Sequence, residues 1–326
     1  MSADVTSAVA AGIRDRVAGV VLGTAVGDAL GAGYEFGSAP LGPDGPRMIG
    51  GGLGGFAPGE WTDDTSMTWC VLDVAASMGA LISDEALTEV ARNFRGWYDS
   101  GPPDIGVQTR QVLRAAGPAP TAAGCSSVAA AHFAGNSRSA GNGSLMRTAP
   151  VALAHLGDTR AIVRAATAVS GLTHADPRTG QACVLWSLAI DRAIREQVLD
   201  IRSGLGELDE PDRLFWADRI AEAEQGPPTR FTPNGWVVTA LQAAWSSIHR
   251  TPVPAGDPGR HLADSLVTAI GIGNDTDTVA AIAGGLLGAR WGAGAVPSEW
   301  LRICHGYPGL TGQDLIDLAH AAAGPG

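Results

Sequence analysis

The chain reads Gly273-Asn274-Asp275-Thr276-Asp277-Thr278 and then VAAIAGGLLGAR over residues 279–290. The alanines and glycines of the second part predict a helix that lies unusually close to a neighbour, as at the centre of a helical bundle. The first part exceeds what a helix start requires, since one N-cap residue suffices and this segment offers two carboxylates and two threonines. Carboxylates are costly to bury without a positive partner. The segment therefore predicts a central helix with a chemical site at its beginning.

Helical periodicity dominates the rest of the chain. The apolar residues between Met67 and Val74 follow the three-four spacing of a helix. Ser83, which precedes two acidic residues, is typical of an N-cap and predicts a helix through about Tyr98. Further helices are predicted over about residues 159–170, 178–198, 211–225, 236–249, 260–271, 277–291 and 312–323. No alternating strand pattern extends beyond a few residues, and no repeat is visible.

No change of composition marks a domain boundary. We therefore expect residues 1–326 to form one compact all-α domain. The Gly- and Pro-rich segment 37–60 is predicted to be a long loop, and loops of that length inside compact domains are often functional lids.

The charge balance excludes several kinds of chemistry. The 326 residues include 33 acidic and 22 basic ones, for a formal charge of −11, and every basic residue is arginine. The absence of lysine excludes a Walker-type phosphate loop, Schiff-base catalysis and pyridoxal-phosphate attachment. The acidic balance argues against general nucleic-acid binding, which depends on neutralising phosphates.

The cysteines and the N-terminus favour a cytoplasmic protein. The four cysteines are far apart and form no C-x-x-C pair, so they indicate neither zinc nor redox chemistry, and they fit a reducing compartment. No basic residue precedes Arg14, which argues against a secretory signal. The apolar stretch from Val17 to Gly33 contains Asp28 and several glycines, and we expect it to be too interrupted to span a membrane.

A second acidic motif, Trp61-Thr62-Asp63-Asp64-Thr65, stands at the predicted start of a helix near Asp63. Alone it favours helix capping, because aspartates in the first turn stabilise the helix dipole. Together with residues 273–278, it gives four aspartates and several threonine oxygens on two helix starts. This hard, all-oxygen set suits Mg²⁺, Mn²⁺ or Ca²⁺ rather than zinc, and four carboxylates are what a two-metal site needs.

Three further motifs are weaker alone. The glycine-rich segment 23–31 contains Asp28, a candidate structural cap, and leads to Glu35. A lone glutamate at such a position is more often simply exposed than functional. The segment 139–147 holds a Gly-Asn-Gly turn, and its amides suit phosphate oxygens. Within Thr173-His174, the histidine alone is more often a core or capping residue than a catalyst.

Taken in order, these motifs resemble the ADP-ribosylhydrolase (ADP-ribosylglycohydrolase) family, the group of the dinitrogenase-reductase-activating glycohydrolase. The ordered set is Gly-Asp-Ala-Leu-Gly followed by Glu, Thr-Asp-Asp-Thr, Gly-Asn-Gly-Ser-x-Met-Arg, Thr-His and Asn-Asp-Thr-Asp-Thr. It extends from about residue 20 to 290, and the two acidic motifs are its specific part. The resemblance implies a compact orthogonal helical bundle of that family's type, with a site for two divalent cations, Mg²⁺ or Mn²⁺.

The resemblance also implies roles for individual residues. The metal ligands would be Thr62, Asp63, Asp64, Asp275, Asp277 and Thr278. Glu35 matches an acidic residue that contacts a metal or the scissile region. The diphosphate-binding loop would comprise Ser139, Gly141, Asn142 and Gly143. His174 matches a residue that lines the ADP-ribose cleft.

Two positions depart from the family pattern. Asn274 stands where many members have glycine, next to the predicted ligands. Ala140 stands where some members have an aromatic residue that stacks on adenine, so Phe133 or a residue elsewhere would have to take that role.

The resemblance implies hydrolysis of ADP-ribose from a modified acceptor, with an arginine-linked protein as the first expectation. The bond cleavage passes through an oxocarbenium-like state, and Glu35 and Asp64 are the candidate catalytic carboxyls, with Glu35 preferred. A serine linkage, an ADP-ribosylated nucleic acid and a small ADP-ribose conjugate stay open as substrates. A catalytically silent ADP-ribose binder and a two-metal phosphohydrolase of another nucleotide are the alternatives of a different class.

Overall fold

Two tightly apposed helices, α1 (Ala3–Gly31) and α12 (Thr276–Trp291), form the centre of the fold. A Cβ atom built on Gly284 of α12 would lie 2.0 Å from the carbonyl oxygen of Gly23 on α1, and one built on Gly23 would lie 2.1 Å from the carbonyl oxygen of Gly284. Only glycine allows two helix backbones to come this close. The close approach predicted from the small residues of segment 279–290 is confirmed.

The computed structural model describes residues 3–136 and 138–324. Twelve more helices surround the central pair in this part of the chain. They are α2 (Asp63–Met78), α3 (Asp84–Asp99), α4 (Val107–Ala116), α5 (Ala122–Gly135), α6 (Ala149–Ala154), α7 (Thr159–Gly171), α8 (Pro177–Glu196), α9 (Glu210–Gln225), α10 (Val237–Arg250), α11 (His261–Ile270), α13 (Ser298–Ile303) and α14 (Gly312–Ala322). The prediction of an all-α fold is confirmed.

The two strands of the described residues form a small hairpin. They are β1 (His305–Gly306) and β2 (Leu310–Thr311), paired antiparallel with His305 opposite Thr311. A parallel bridge between Glu60 and His305 joins this hairpin to the long loop ahead of α2. The hairpin thereby lies beside the start of α2, where the second acidic motif is found.

The N-terminal region around α1 corrects one expectation. By length and composition, the segment Val9–Gly37 is apolar enough to cross a membrane, with a mean hydropathy of 1.3. The sequence had led us to expect that its glycines and Asp28 exclude a membrane span, but by length and composition alone they do not. In the structure this apolar window is entirely buried, and α12 covers much of it because both helices present glycines at their contact.

The segment 37–60 is irregular, as predicted. It follows a short 3₁₀ turn, Ala32–Gly37, and contains an isolated antiparallel bridge between Gly51 and Phe56.

The helix predicted after Ser83 is also confirmed, because the Ser83 side chain accepts a hydrogen bond from the backbone N–H of Ala86. All four cysteines are buried thiols rather than disulfides.

Candidate functional site

The two acidic motifs meet at the centre of the bundle. Three carboxylates, those of Asp28, Asp64 and Asp277, offer oxygens that lie within 4.8 Å of one another. Those of Glu35, Asp275 and Asp277 form a second group of the same dimension. The two groups share Asp277, so α1, α2 and α12 each direct acidic side chains to one place.

Helix capping does not account for the carboxylates of the two acidic motifs. Thr62 and Asp275 occupy the N-cap positions of α2 and α12, but neither side chain accepts a capping hydrogen bond. Asp28 on α1 caps α2 instead. Its carboxylate accepts the backbone N–H groups of Thr62 and Thr65 at 2.9 Å and the Thr65 hydroxyl at 2.6 Å. The carboxylates of both motifs are therefore left for another role.

The cluster lacks positive partners. No arginine of the described residues forms an ion pair with any of its carboxylates. Burial and then the neighbouring carboxylates raise the pKa of Glu35 to about 9 and that of Asp63 to about 8. Burial, followed by the charges of neighbouring carboxylates, also raises the pKa values of Asp64 and Asp277 well above their ordinary values. Negative charge in this place requires cations or protons.

One buried oxygen tests whether cations fit. Asp64 Oδ1 is buried and has no hydrogen-bond partner among the described residues, whereas its Oδ2 accepts a hydrogen bond from the Thr62 hydroxyl at 3.1 Å. An unpartnered buried carboxylate oxygen is costly unless a cation or proton meets it. Together with the all-oxygen donor set, this favours a hard divalent cation. The residues therefore fit a pair of hard divalent cations.

The structure distributes the predicted ligands unevenly. Asp64, Asp275 and Asp277 belong to the carboxylate groups, together with Asp28 and Glu35. Asp63 belongs to neither group. Thr278 and Asp63 line the cleft described next, and the buried Thr62 lines a second pocket beside it. The metal ligands named above remain predictions, to which the structure adds Asp28.

A cleft of about 520 Å³ opens above the cluster. Its lining includes the predicted residues Glu35, Asp63, Gly141, Asn142, Gly143, His174, Asp275 and Thr278. The Gly-Asn-Gly turn and residues of both acidic motifs thus line the same cleft.

The residues of the predicted diphosphate loop differ in where they lie. Ser139 is fully buried outside the cleft lining, and its hydroxyl donates to the carbonyl of Asn136 at 3.0 Å, so the substrate contact expected of it is unsupported. The side chain of Asn142 donates to Asp275 Oδ2 at 2.7 Å, and its backbone N–H donates to the Gly235 carbonyl. Asn142 therefore orients Asp275, and its expected role in binding a diphosphate stays a prediction.

Asn234 is a supporting residue that sequence reasoning missed. It is fully buried, accepts the backbone N–H of Asp275 at 3.0 Å and donates to the Gly273 carbonyl at 3.1 Å. It thereby fixes the turn that leads into α12. This turn also explains Asn274, whose φ of 63° lies in the left-handed region that glycine enters freely and asparagine tolerates. Asparagine thus replaces glycine here without a change of backbone.

An exposed tryptophan lies where the sequence lacks an aromatic residue. Trp236 is 46% exposed, and its backbone forms an antiparallel bridge with Gly141, while Val237 N–H donates to the Ala140 carbonyl at 2.9 Å. Neither ring lines the cleft itself, but Trp236 lines a pocket that shares Gly141 and Gly235 with the cleft, whereas the exposed Phe133 does not. Trp236 is the aromatic side chain next to the turn, so it is the better candidate for adenine. Only the missing aromatic at Ala140 signalled the need for such a residue.

A second pocket of about 380 Å³ adjoins the first and shares Asp63 and Asp104 with it. Its walls include the aromatic residues Phe56, Trp61 and Tyr307, and it also contains Glu60. Asp104 is half-buried, and burial raises its pKa. The two pockets form one cleft with carboxylates at the junction. Sequence reasoning missed Asp104, which follows two prolines in a loop without periodicity.

Comparisons with known proteins agree with this geometry. The family model described as ADP-ribosylglycohydrolase matches residues 10–325. The ADP-ribosylarginine hydrolase Tri1 of Pseudomonas putida (strain GB-1) is 30% identical over 301 residues, covering 88% of this chain and 73% of the relative. The ADP-ribosyl-[dinitrogen reductase] glycohydrolase of Rhodospirillum rubrum is 30% identical, covering 89% and 90%. A solved structure described as an ADP-ribosylglycohydrolase-related protein complex has a TM-score of 0.69 at 28% identity, covering 95% of this chain and 98% of its own.

Proposed function

The chain belongs to the ADP-ribosylglycohydrolase family and is a hydrolase of ADP-ribosyl glycosidic linkages, and on that premise we propose that it removes ADP-ribose from arginine side chains of proteins with the help of two divalent cations, Mg²⁺ or Mn²⁺. The observation that carries the proposal is the pair of carboxylate groups that share Asp277 at the floor of the cleft. Two relatives at 30% identity are named for an arginine linkage or for ADP-ribosylated dinitrogen reductase.

The second pocket supports an arginine acceptor. A guanidinium is a planar cation that binds carboxylates and the faces of aromatic rings. This pocket offers Glu60 and Asp104 together with the rings of Phe56 and Tyr307. It joins the first cleft at Asp63, so a ribose placed above the acidic cluster would direct its acceptor into this pocket. A neutral serine linkage gains less from such surroundings.

The cations would be held by the two carboxylate groups, which share Asp277. When bound, they would supply the positive charge that attracts the ribose hydroxyls and that favours ionisation of an attacking water at neutral pH. The protein positions this chemistry through Asp28, whose bonds fix the start of α2, and through Asn142 and Asn234, whose bonds fix Asp275.

Glu35 is the better placed of the two candidate catalytic carboxyls. It lines the cleft, whereas Asp64 is fully buried and does not. In the cation-free protein, burial and four neighbouring carboxylates raise the pKa of Glu35, and bound cations would lower it again. From its place in the cleft, the Glu35 carboxyl can exchange a proton with the leaving group or the attacking water as charge develops at the ribose.

The test is a panel of substrates that differ only in linkage. Purified protein would be incubated with Mg²⁺ or Mn²⁺ and with peptides ADP-ribosylated on arginine or on serine, and the products separated. We expect free ADP-ribose and an unmodified arginine peptide, with little release from serine. Release of AMP or phosphate would indicate a phosphohydrolase instead. Binding of ADP-ribose without release from any linkage would indicate a silent binder.

A further inference from the structure

Arg147 is a buried cation without a carboxylate partner. It is fully buried, its guanidinium lies 4.5 Å from the ring centroid of Phe94, and no described carboxylate forms an ion pair with it. Burial lowers its pKa to about 10, which leaves it charged at neutral pH. A buried charge of this kind is costly, so its contacts merit a functional explanation.

The guanidinium binds Gly143, which lines the cleft, and Thr173, which is buried next to His174. One terminal nitrogen, Nη1, donates to the Gly143 carbonyl at 2.8 Å, and the other, Nη2, donates to the Thr173 hydroxyl at 2.7 Å. The Thr173 hydroxyl in turn lies 2.7 Å from Nδ1 of His174. Arg147 thus joins the Gly-Asn-Gly turn to the histidine, although the two segments are far apart in sequence.

Donor and acceptor rules assign the proton on His174. Arginine only donates, so the Thr173 oxygen accepts from Arg147 and must place its own proton elsewhere. Thr173 is fully buried, and among the described residues the one acceptor within reach of its hydroxyl is Nδ1 of His174. A buried hydroxyl proton without an acceptor is costly, so Nδ1 accepts and the imidazole carries its hydrogen on Nε2.

The other edge of the ring faces the turn. A Cβ atom built on Gly143 would lie 3.3 Å from Nε2 of His174, and one built on Gly141 would lie 3.6 Å from it. Nε2 has no hydrogen-bond partner within the described part of the chain, and His174 lines the cleft. Burial and the nearby Arg147 charge hold the pKa of His174 well below its ordinary value, which keeps the ring neutral.

We propose that Arg147 and Thr173 are positioning residues that fix His174 in its Nε2–H form, in which this N–H faces the expected diphosphate site beside the Gly141–Gly143 turn. The proposal rests on the proposed function for the identity of the ligand. The same guanidinium turns the Gly143 carbonyl inward, which keeps an acceptor oxygen away from an anionic ligand. A fixed, neutral donor recognises an anion without the cost of burying a second positive charge.

The first test needs no ligand. Long-range ¹H–¹⁵N spectra of the uniformly labelled protein report which imidazole nitrogen carries hydrogen, and a His174→Gln variant identifies the signals of His174 among the seven histidines. We expect hydrogen on Nε2 across the neutral range. Hydrogen on Nδ1, or a charged ring at pH 7, would overturn the proposal whatever the enzyme's activity.

The second test measures ADP-ribose binding by calorimetry in the Mg²⁺-loaded protein. Because removal of Arg147 would leave the Gly143 carbonyl and a core position without a partner, the variants are made at Thr173. Thr173→Val keeps the shape and removes the hydroxyl, and we expect it to raise Kd about fivefold, while Thr173→Ser restores binding. His174→Ala should raise Kd about tenfold or more, and adding Thr173→Val to it should change nothing further.

The outcomes separate this proposal from the proposed function. An unchanged Kd in Thr173→Val, or an equal effect of this substitution with and without His174, would refute the positioning role even in an active enzyme. If the wild-type protein releases no ADP-ribose from any linkage, the proposed function fails. The ligand-free spectra and the comparison of variants still decide whether Thr173 acts through His174.

Discussion

Substitution of Gly284 by alanine tests the link between the central helix pair and the site. The added Cβ would lie 2.0 Å from the carbonyl oxygen of Gly23, about 1.4 Å short of the 3.4 Å at which ordinary contact begins. The obstacle is the backbone of another helix, which cannot rotate away as a side chain can. Overpacking of this kind costs about 2–4 kcal/mol, and the better helix propensity of alanine returns at most about 1 kcal/mol.

The measurement is thermal unfolding, with Mn²⁺ affinity as a second readout. We expect a Tm lower by roughly 5 °C, given the usual conversion for large domains. Mn²⁺ binding should weaken about tenfold, because α1 carries Asp28 and α12 carries Asp277, and a displaced helix separates them.

The matched control for Gly284→Ala is Gly96→Ala on α3. A Cβ on Gly96 would meet nothing within 4 Å, so this variant should be as stable as the wild type or slightly more stable. If Gly284→Ala is also neutral, the close helix contact does not constrain the fold and the argument is refuted.

Three further predictions concern the site. Asp104→Asn should raise KM for an arginine-linked substrate about tenfold and leave a serine-linked one unchanged, since only the guanidinium is charged; equal effects in steady-state assays would count against the acceptor pocket. Trp236→Ala should weaken ADP-ribose binding about tenfold while Phe133→Ala does not, as calorimetry would show, and the reverse order would assign adenine to the other ring. Without metal, the pKa of Glu35 is about 9 and that of Asp63 about 8, against ordinary values of 4.5 and 3.8. The folded protein therefore keeps protons on these two carboxyls at pH values where the unfolded chain has released them. Their stabilising effect is complete below about pH 4 and is lost as pH rises through 8 to 9, by about 1.4 kcal/mol per pH unit for each retained proton. Tm of the chelator-treated protein should therefore fall between pH 5 and 9 and recover with Mn²⁺, and a Tm that rises over this range would contradict the account.

Local patterns were sufficient for the central helix and the acidic motifs. The run of small residues before Arg290 indicates its own surroundings, because glycine and alanine repeated over about three turns allow another helix backbone to approach closely. The starts of α2 and α12 were also visible, since their aspartates and threonines lie next to each other in sequence. Helix α5, by contrast, was not predicted, because its alanine-, glycine- and serine-rich sequence has almost no apolar face.

Residues that act through distant contacts were not predictable in this way. Asp28 was a candidate structural cap, but only the structure shows that it caps α2, whose Thr62 lies 34 residues further along. Asn234 and Asp104 lie in loops, where no periodicity indicates which way a side chain points. Ser139 matched a motif, yet the backbone turns it into the core. Each of these placements depends on how the helices assemble rather than on local sequence.

The central claim is that two cations in the acidic cluster are required for release of ADP-ribose from arginine. The most direct measurement is the initial rate of this release by metal-stripped protein during titration with Mn²⁺, with bound metal counted in the same samples. We predict no rate without metal and a maximum as the second equivalent binds, with both metal and rate lost in Asp277→Asn. A full rate in stripped protein, or in the Asp277→Asn variant, would contradict the account.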